Sequence, residues 1–199
     1  MIINNCEQGS QEWFKAKAGV PSASNFDKIV DSKGNPSKQA KKYMYQLAGE
    51  KITGIREETY QNASMLRGVE MEAEARKAFE YVYGTKVDQV GMCLTDDKIC
   101  GCSPDGMVGE KGLTEIKCPE IQTHVGYLLD NKLPTKYFQQ VQGQLFVTGR
   151  EWCVFMSYYP GIKPLLVNVE RDEEFIKKLD KELKLFNEEL EVIVAKIRG

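Results

Sequence analysis

The stretch at residues 100–119 reads CGCSPDGMVGEKGLTEIKCP and places two acids and a lysine around a chain reversal. Asp105 lies in a Pro-Asp-Gly sequence, which is typical of tight turns. Because successive residues of a strand alternate faces, Glu115 and Lys117 project together, whereas Ile116 faces the opposite, apolar side. Antiparallel pairing across a turn near residues 110–112 would bring Asp105 next to Glu115. The stretch therefore predicts a hairpin on which two carboxylates and an ammonium group converge.

Two adjacent carboxylates repel each other unless a cation lies between them. Oxygen ligands suit Mg²⁺ or Mn²⁺ better than zinc. Such an ion lowers the pKa of a bound water and neutralises charge on a phosphoryl oxygen, which indicates phosphodiester hydrolysis. Lys117 would orient or deprotonate that water. The alternative from these residues alone is a common turn beside an exposed ion pair.

A third acid lies on a predicted helix over residues 64–83, in the segment LRGVEMEAEARKAFEYVYG. Glu72 is the one acid of this helix that we expect on its apolar face, with Val69, Phe79 and Tyr83. It is either a further metal ligand, direct or through water, or the partner of Arg76 in an i,i+4 ion pair.

The remaining patterns predict a mixed α/β domain that spans residues 1–199. Helices are predicted from Ser10 to about residue 19, from the Ser22–Asn25 cap to Ile29, and over 38–53, 64–83, 120–130, 135–148 and 172–198. Short strands are predicted at 86–94, 99–103, 107–108, 113–117, 152–158 and 165–169. This order predicts a central sheet flanked by helices.

The composition excludes several classes of protein. No run of about 18 apolar residues exists, and the N-terminus lacks the pattern of a signal peptide, so we expect a cytoplasmic protein without membrane contact. The six cysteines lack zinc-site spacing and predict reduced, structural thiols. A net charge of −2 neither indicates nor excludes nucleic-acid binding.

Four blocks together resemble the lambda-exonuclease (YqaJ-type) branch of the PD-(D/E)xK nuclease superfamily. They are EQGSQEWFKAKAGVPSAS (7–24), RGVEMEAEARKAFE (67–80), CSPDGMV with LTEIKCP (102–119) and YFQQVQGQLFVTGREWCVFMSYYP (137–160). The resemblance implies a restriction-endonuclease-like core with a central mixed sheet. It also implies an exonuclease that degrades one strand of duplex DNA from its 5′ end and leaves a 3′ overhang for strand-annealing recombination.

The resemblance assigns site residues by matched position. Glu72, Asp105, Glu115 and the backbone carbonyl of Ile116 would bind Mg²⁺, with Mn²⁺ as a substitute, in a two-metal hydrolysis. Lys117 would activate water. Gln142, on the predicted helix 135–148, would line the active site, although its residue pattern alone favours a polar helix position.

The first block implies a binding site for the 5′-phosphate. Lys17 and Ser24 would hold the phosphate, with Ser103 nearby. Lys17 stands where the family carries Arg, and lysine cannot form the bidentate contact of a guanidinium group. Strict dependence on a 5′-phosphate is therefore not implied.

Strand separation requires a further contact with DNA. Met65 and Leu66, beside Arg67, are interpreted as an apolar wedge that separates the strands, against the alternative of a packing contact at a helix start. Arg67 itself is a predicted DNA contact.

The family also implies partners. We expect a ring-shaped homotrimer around double-stranded DNA, lined by Lys38, Lys41 and Lys42, a single-strand annealing protein as partner, and a phage or prophage origin. The apolar seam of the last helix would pack on the chain's own sheet or between subunits.

A non-catalytic DNA-end-binding or scaffold protein remains the alternative from another functional class. An endonuclease or junction resolvase is the alternative within the superfamily. The branch with an iron–sulfur cluster is disfavoured because no cysteine follows Cys153.

Overall fold

The computed structural model describes residues 1–56 and 63–199, without the side chains of residues 63–66 and 69. The first half contains β1 (Ile2–Asn4), α1 (Gln11–Lys17), a 3-10 helix (Ala23–Lys28), α2 (Ala40–Thr53) and α3 (Ala63–Tyr83). Four strands follow: β2 (Met92–Leu94), β3 (Gly101–Cys102), β4 (Gly106–Val108) and β5 (Gly112–Lys117). The chain continues with α4 (Ile121–Asp130), a 3-10 turn (Thr135–Tyr137), α5 (Phe138–Thr148), β6 (Trp152–Ser157), β7 (Leu165–Glu170) and α6 (Glu173–Arg198).

The strands form two sheets. A small antiparallel sheet has the order β1-β2-β3, and a larger sheet has the order β4-β5-β6-β7. The larger sheet is mixed, because β5 and β6 are parallel while its other pairs are antiparallel. A parallel pair needs a long crossover connection, which α4, the 3-10 turn and α5 supply. The predicted mixed sheet flanked by helices is confirmed.

The two faces of β5 point into different apolar clusters. Leu113 packs in the larger cluster, together with Leu145 of α5. Ile116 packs in a smaller cluster with Ala75 and Phe79 of α3. The predicted alternation is therefore confirmed, and the face that carries Glu115 and Lys117 is the one that also carries Leu113.

Several helix ends follow from single residues. The side chain of Ser10 caps α1 by accepting a hydrogen bond from the backbone of Trp13 at 3.2 Å. Gly84, with a φ of 72°, ends α3 as the sequence predicts. The predicted strand at 86–94 is shorter than expected: Met92–Leu94 form β2, and Asp88 makes an isolated bridge to Met107 of β4.

The apolar seam of α6 packs within its own chain. Leu179, Leu183 and Leu190 are fully buried in the larger cluster, and the ring of Phe186 lies 5.9 Å from that of Tyr43 in α2. The seam covers α2 and α5 instead of the sheet. Within the ranges described, none of the helices has both the length and the apolar character required to cross a bilayer.

Candidate active site

The paired carboxylates are brought together by the hairpin of β4 and β5. Gly106 pairs with Thr114 in the antiparallel register, so Asp105, one residue earlier, lies beside Glu115 and Ile116. Oδ2 of Asp105 accepts a hydrogen bond from the backbone N–H of Ile116 at 2.6 Å. The ammonium group of Lys117 forms an ion pair with Oε1 of Glu115. The structure thus unites the three charged groups at the place that the sequence predicts.

In this cluster a buried acid, Glu115, and a partly buried acid, Asp105, lie next to one cation, Lys117. Burial, followed by the charge of Glu115, raises the pKa of Asp105 to about 8, although Lys117 and the N–H of Ile116 oppose the shift. Burial alone would lower the pKa of Lys117, but Glu115 and Asp105 raise it above its ordinary value. Lys117 is therefore a cation and a hydrogen-bond donor in this setting.

The oxygens of this cluster fit a hard divalent cation. Asp105 and Glu115 repel each other, as the raised pKa of Asp105 indicates, and a cation would relieve that repulsion. The N–H and C=O groups of one strand residue point to the same edge, so the carbonyl of Ile116 lies on the edge where its N–H meets Asp105. Two carboxylates and one carbonyl suit Mg²⁺ or Mn²⁺. Among the side chains that the structure describes, however, no three of the His, Cys, Asp or Glu type converge on one point.

Glu72 is the predicted ligand that the structure does not bring fully into this cluster. Its Oε1 accepts a hydrogen bond from Nη2 of Arg76 at 2.7 Å, so the i,i+4 ion pair exists. α3 packs on the sheet face opposite Glu115, with Ala75 and Phe79 against Ile116. Glu72 is nevertheless close enough to contribute to the raised pKa of Asp105. Its role as a metal ligand stays a prediction.

Gln142 does not point into the site. Its Nε2 group donates to the carbonyl of Glu170 at 2.8 Å, and its Oε1 accepts from the N–H of Asp172 at 2.8 Å. The side chain therefore joins α5 to the connection between β7 and α6. The interpretation of Gln142 as an active-site residue is therefore corrected. Residues two apart on a helix lie on nearly opposite faces, so Gln142 faces away from the side of α5 that carries Gln140 and Gln144.

Two other glutamines of α5 occupy the position predicted for Gln142. Nε2 of Gln140 donates to Oε1 of Glu115 at 2.5 Å, and Nε2 of Gln144 donates to Oε2 at 2.6 Å. The sequence reasoning missed both residues. The available signal was their spacing of four in QQVQGQ, which places them on one helix face.

The three residues predicted to bind a 5′-phosphate line one pocket. Lys17, Ser24 and Ser103 surround it, and Gln140 and Gln144 form the wall nearest Glu115. Lys17 is only 7% exposed. Its burial, followed by the charge of Arg56, lowers the pKa of Lys17 to about 7. An anion in the pocket would favour the charged form of this lysine.

Trp13 is a further pocket residue that the sequence reasoning did not assign. Its indole Nε1–H donates to Oγ of Ser103 at 2.9 Å, and the ammonium group of Lys17 lies 4.0 Å from its ring centroid. Trp13 thereby orients two of the predicted phosphate contacts. Its spacing of four from Lys17 in α1 was the signal in the sequence.

α5 and the 3-10 helix that carries Ser24 approach each other closely. Gly143 packs so tightly that a Cβ added there would lie 2.4 Å from the ring of Phe26. Only glycine at this position allows the helix that carries Gln140 and Gln144 to lie against the segment that carries Ser24.

Arg67 serves the protein itself. Its Nη2 donates to the carbonyl of Cys118 at 3.1 Å and to that of Pro119 at 2.5 Å, which fixes the chain just after Lys117. Arg67 therefore has a role in holding the site, and a direct contact with DNA stays a prediction. The side chains of Met65 and Leu66 lie outside the described residues, so the predicted wedge stays a prediction.

The chain is similar in sequence and fold to known nucleases. A model of the YqaJ-like viral recombinase domain matches residues 12–151. The chain resembles an alkaline exonuclease, LHK-Exo, from Laribacter hongkongensis, with 33% identity and a TM-score of 0.87 over 95% of this chain and 96% of that one. LHK-Exo has also been solved in complex with dAMP and matches to the same extent. A phage-related exonuclease from Haemophilus somnus 129PT shares the fold, with 16% identity and a TM-score of 0.71 over 89% of this chain and 96% of that one. No curated protein sequence matches the chain significantly.

Proposed function

Because the chain belongs to the family of YqaJ-like viral recombinase domains, we propose that it is a metal-dependent deoxyribonuclease that degrades one strand of duplex DNA from its 5′ end. The observation that carries the proposal is the adjacency of two sites. The acids Asp105 and Glu115 lie on one side of Gln140 and Gln144, and the pocket of Lys17 lies on the other. This arrangement suits an enzyme that starts at a 5′ end, because the terminal phosphate lies one nucleotide away from the bond that is cleaved.

The proposed metal site consists of Asp105, Glu115 and the carbonyl of Ile116, and the proposed ion is Mg²⁺, with Mn²⁺ as a substitute. The ion would supply an acidic water and neutralise charge on the scissile phosphate. A second ion, as in the predicted two-metal reaction, would also need Glu72, which is now paired with Arg76. The geometry therefore supports one ion more directly than two.

Each protein group has a separate task in this proposal. Asp105 accepts a hydrogen bond from the N–H of Ile116, and Glu115 is contacted by both glutamines and by Lys117, so each carboxylate has protein groups that orient it toward the proposed ion. Lys117 remains protonated beside two acids. It is suited to orient the attacking water and to stabilise negative charge on the phosphate as the P–O bond breaks.

The pocket gives the proposed polarity of attack. A phosphate dianion placed between Lys17, Ser24 and Ser103 would find one cation and two hydroxyl groups, and charge-assisted hydrogen bonds of this kind are the strong ones. A 3′-hydroxyl end would bring no anion into the pocket. We therefore propose that the enzyme starts at 5′ ends, prefers phosphorylated ones and leaves a 3′ overhang.

We further propose a homotrimeric ring that encircles the duplex and a single-strand annealing protein that takes over the overhang, in a phage or prophage setting. A ring would explain how a chain with a net charge of −2 remains on DNA, since enclosure replaces a broad basic face. Lys38, Lys41 and Lys42 are exposed at the start of α2 and would form a basic lining.

Incubation with linear and covalently closed circular duplex DNA tests the nuclease assignment. We expect Mg²⁺-dependent loss of the linear DNA alone, and no loss in EDTA. Cleavage of the closed circle would indicate an endonuclease or resolvase. Binding of ends without any loss of DNA in Mg²⁺ or Mn²⁺ would indicate the non-catalytic scaffold.

A further inference from the structure

Gln140 and Gln144 physically connect the two halves of the site. The residues lie four apart on α5, so their side chains share one face of the helix. Each donates one hydrogen bond to Glu115, and together they occupy both carboxylate oxygens, at 2.5 Å and 2.6 Å. The same two side chains line the pocket of Lys17, Ser24 and Ser103. Any movement of these amides would therefore affect both the pocket and the carboxylate.

One amide oxygen of these two glutamines, Oε1 of Gln144, is a hydrogen-bond acceptor without a donor among the described residues. This oxygen is buried, and the side chain as a whole is 1% exposed. A buried amide oxygen without a donor is unfavourable, so this oxygen favours whatever brings a donor to it. The ammonium group of Lys17 lines the same pocket and carries several N–H donors.

We propose that Gln140 and Gln144 couple the occupancy of the 5′-end pocket to the position of the metal-binding carboxylate Glu115. A phosphate in the pocket fixes the ammonium of Lys17, which then donates both to the phosphate and to Oε1 of Gln144. The fixed amides hold both oxygens of Glu115 in the orientation that binds the ion. With a 5′-hydroxyl end, the amides of Gln140 and Gln144 are restrained only by their bonds to Glu115. The orientation of Glu115 that binds the ion is then less populated.

The inference rests on the proposed function, because it takes the pocket as the site of the terminal phosphate. The glutamines act through Glu115 and are positioning residues. Removal of a group that orients a metal ligand typically lowers activity by roughly 10- to 100-fold. Coupling predicts a more specific result. The activity loss should be a decrease in kcat that occurs mainly on 5′-phosphorylated ends, while the preference for binding these ends is unchanged.

Gln144→Leu is the test variant, because leucine has a similar volume but cannot bond to Glu115. We would measure kcat on duplexes with 5′-phosphate and with 5′-hydroxyl ends. Binding of both duplexes would be measured by fluorescence anisotropy in EDTA, where no cleavage occurs. We expect the ratio of the two kcat values to fall to near one, while the ratio of the two dissociation constants stays at its wild-type value. In Lys17→Ala, both the ratio of the kcat values and the ratio of the dissociation constants should fall to near one.

Controls separate coupling from simpler roles. Gln142→Leu alters an equally buried glutamine of the same helix that contacts Glu170 and Asp172, so it should lower the melting temperature but leave the kcat ratio unchanged. If Gln144→Leu does not fold, Gln140→Leu tests the same connection through the other oxygen of Glu115.

Two results would overturn the inference. An equal loss of kcat on both kinds of end would mean that the glutamines only support Glu115, and loss of the binding preference would mean that Gln144 is only a pocket wall. The wild-type protein tests the proposed function separately. If it digests no DNA, or ignores the 5′-phosphate in both binding and turnover, the proposed function fails before any variant is considered.

Discussion

Replacement of Asp105 by asparagine should stabilise the metal-free protein at pH 8, although it should abolish activity. Burial and the neighbouring Glu115 raise the pKa of Asp105 from its ordinary 3.8 to about 8. Between these two values the folded chain keeps a proton that the unfolded chain releases, so the wild type loses stability as pH rises. Asparagine carries no charge at any pH, and its amide oxygen still accepts the hydrogen bond from Ile116.

The magnitude follows from the size of the shift. A shift of about four pKa units corresponds to a ceiling of about 6 kcal/mol, at about 1.4 kcal/mol per unit. Relaxation and water entry reduce such effects, since buried sites behave as if their dielectric constant were about 20. We therefore expect a gain of about 2 kcal/mol at pH 8, or about 4–8 °C in melting temperature for a chain of this size.

The assay is thermal unfolding in EDTA between pH 4 and pH 8. The difference between Asp105→Asn and the wild type should be near zero at pH 4 and largest at pH 8. Asp31→Asn is a control of opposite sign. Hydrogen bonds from Asn35 lower the pKa of the exposed Asp31 below its ordinary value, so Asp31→Asn should cost stability by a nearly constant amount between pH 4 and pH 8. Mg²⁺ at about 100 times its dissociation constant should then stabilise the wild type by about 2.7 kcal/mol and the Asp105 variant much less.

Two outcomes would refute the reasoning. If Asp105→Asn were less stable than the wild type at pH 8 in EDTA, the two carboxylates would not repel each other in the folded state. If the difference did not change with pH, a cause other than ionisation of Asp105 would have to explain it.

Three further predictions concern DNA. The pKa of Lys17 is lowered to about 7, so the wild-type preference for binding 5′-phosphorylated ends should decrease between pH 6.5 and pH 9 as the lysine loses its charge. Lys17→Arg should keep the same preference over this range. A wild-type preference that does not change with pH would contradict the prediction. Met65→Ala should slow digestion of duplex more than digestion of single-stranded DNA, because separating each base-pair step costs about 1.4 kcal/mol, whereas a proportional loss on both substrates would indicate simple packing. Light scattering should give three times the chain mass of 22.6 kDa, and a monomer that digests long duplexes processively would exclude the ring.

The central acids could be predicted because they depend on local rules. Alternation along a strand and one turn determine that Asp105, Glu115 and Lys117 meet, and the hairpin register agrees with this. The capping of α1 by Ser10 and the end of α3 at Gly84 are equally local. Such features require only a few neighbouring residues to be read correctly.

The sequence predictions failed or were incomplete where contacts between segments far apart in the sequence determine the structure. Position in a matched block assigned Gln142 to the site, but the packing of α5 on the 3-10 helix turns Gln140 and Gln144 toward Glu115 instead. Arg67 was assigned to DNA together with the neighbouring Met65, and its bonds to the carbonyls of Cys118 and Pro119, about 50 positions away, could not be predicted from the local sequence. The parallel pairing of β5 with β6 is similarly invisible in either strand alone.

The most direct measurement of the central claim is digestion of duplex DNA that carries a label at either the 5′ or the 3′ end of one strand. In Mg²⁺, the account predicts early release of the 5′ label as a mononucleotide, with the 3′ label retained on progressively shorter strands. Lys117→Ala and Glu115→Gln should fold like the wild type and release neither label. Release of the 3′ label first, or near-normal turnover by the Lys117 variant, would contradict the account.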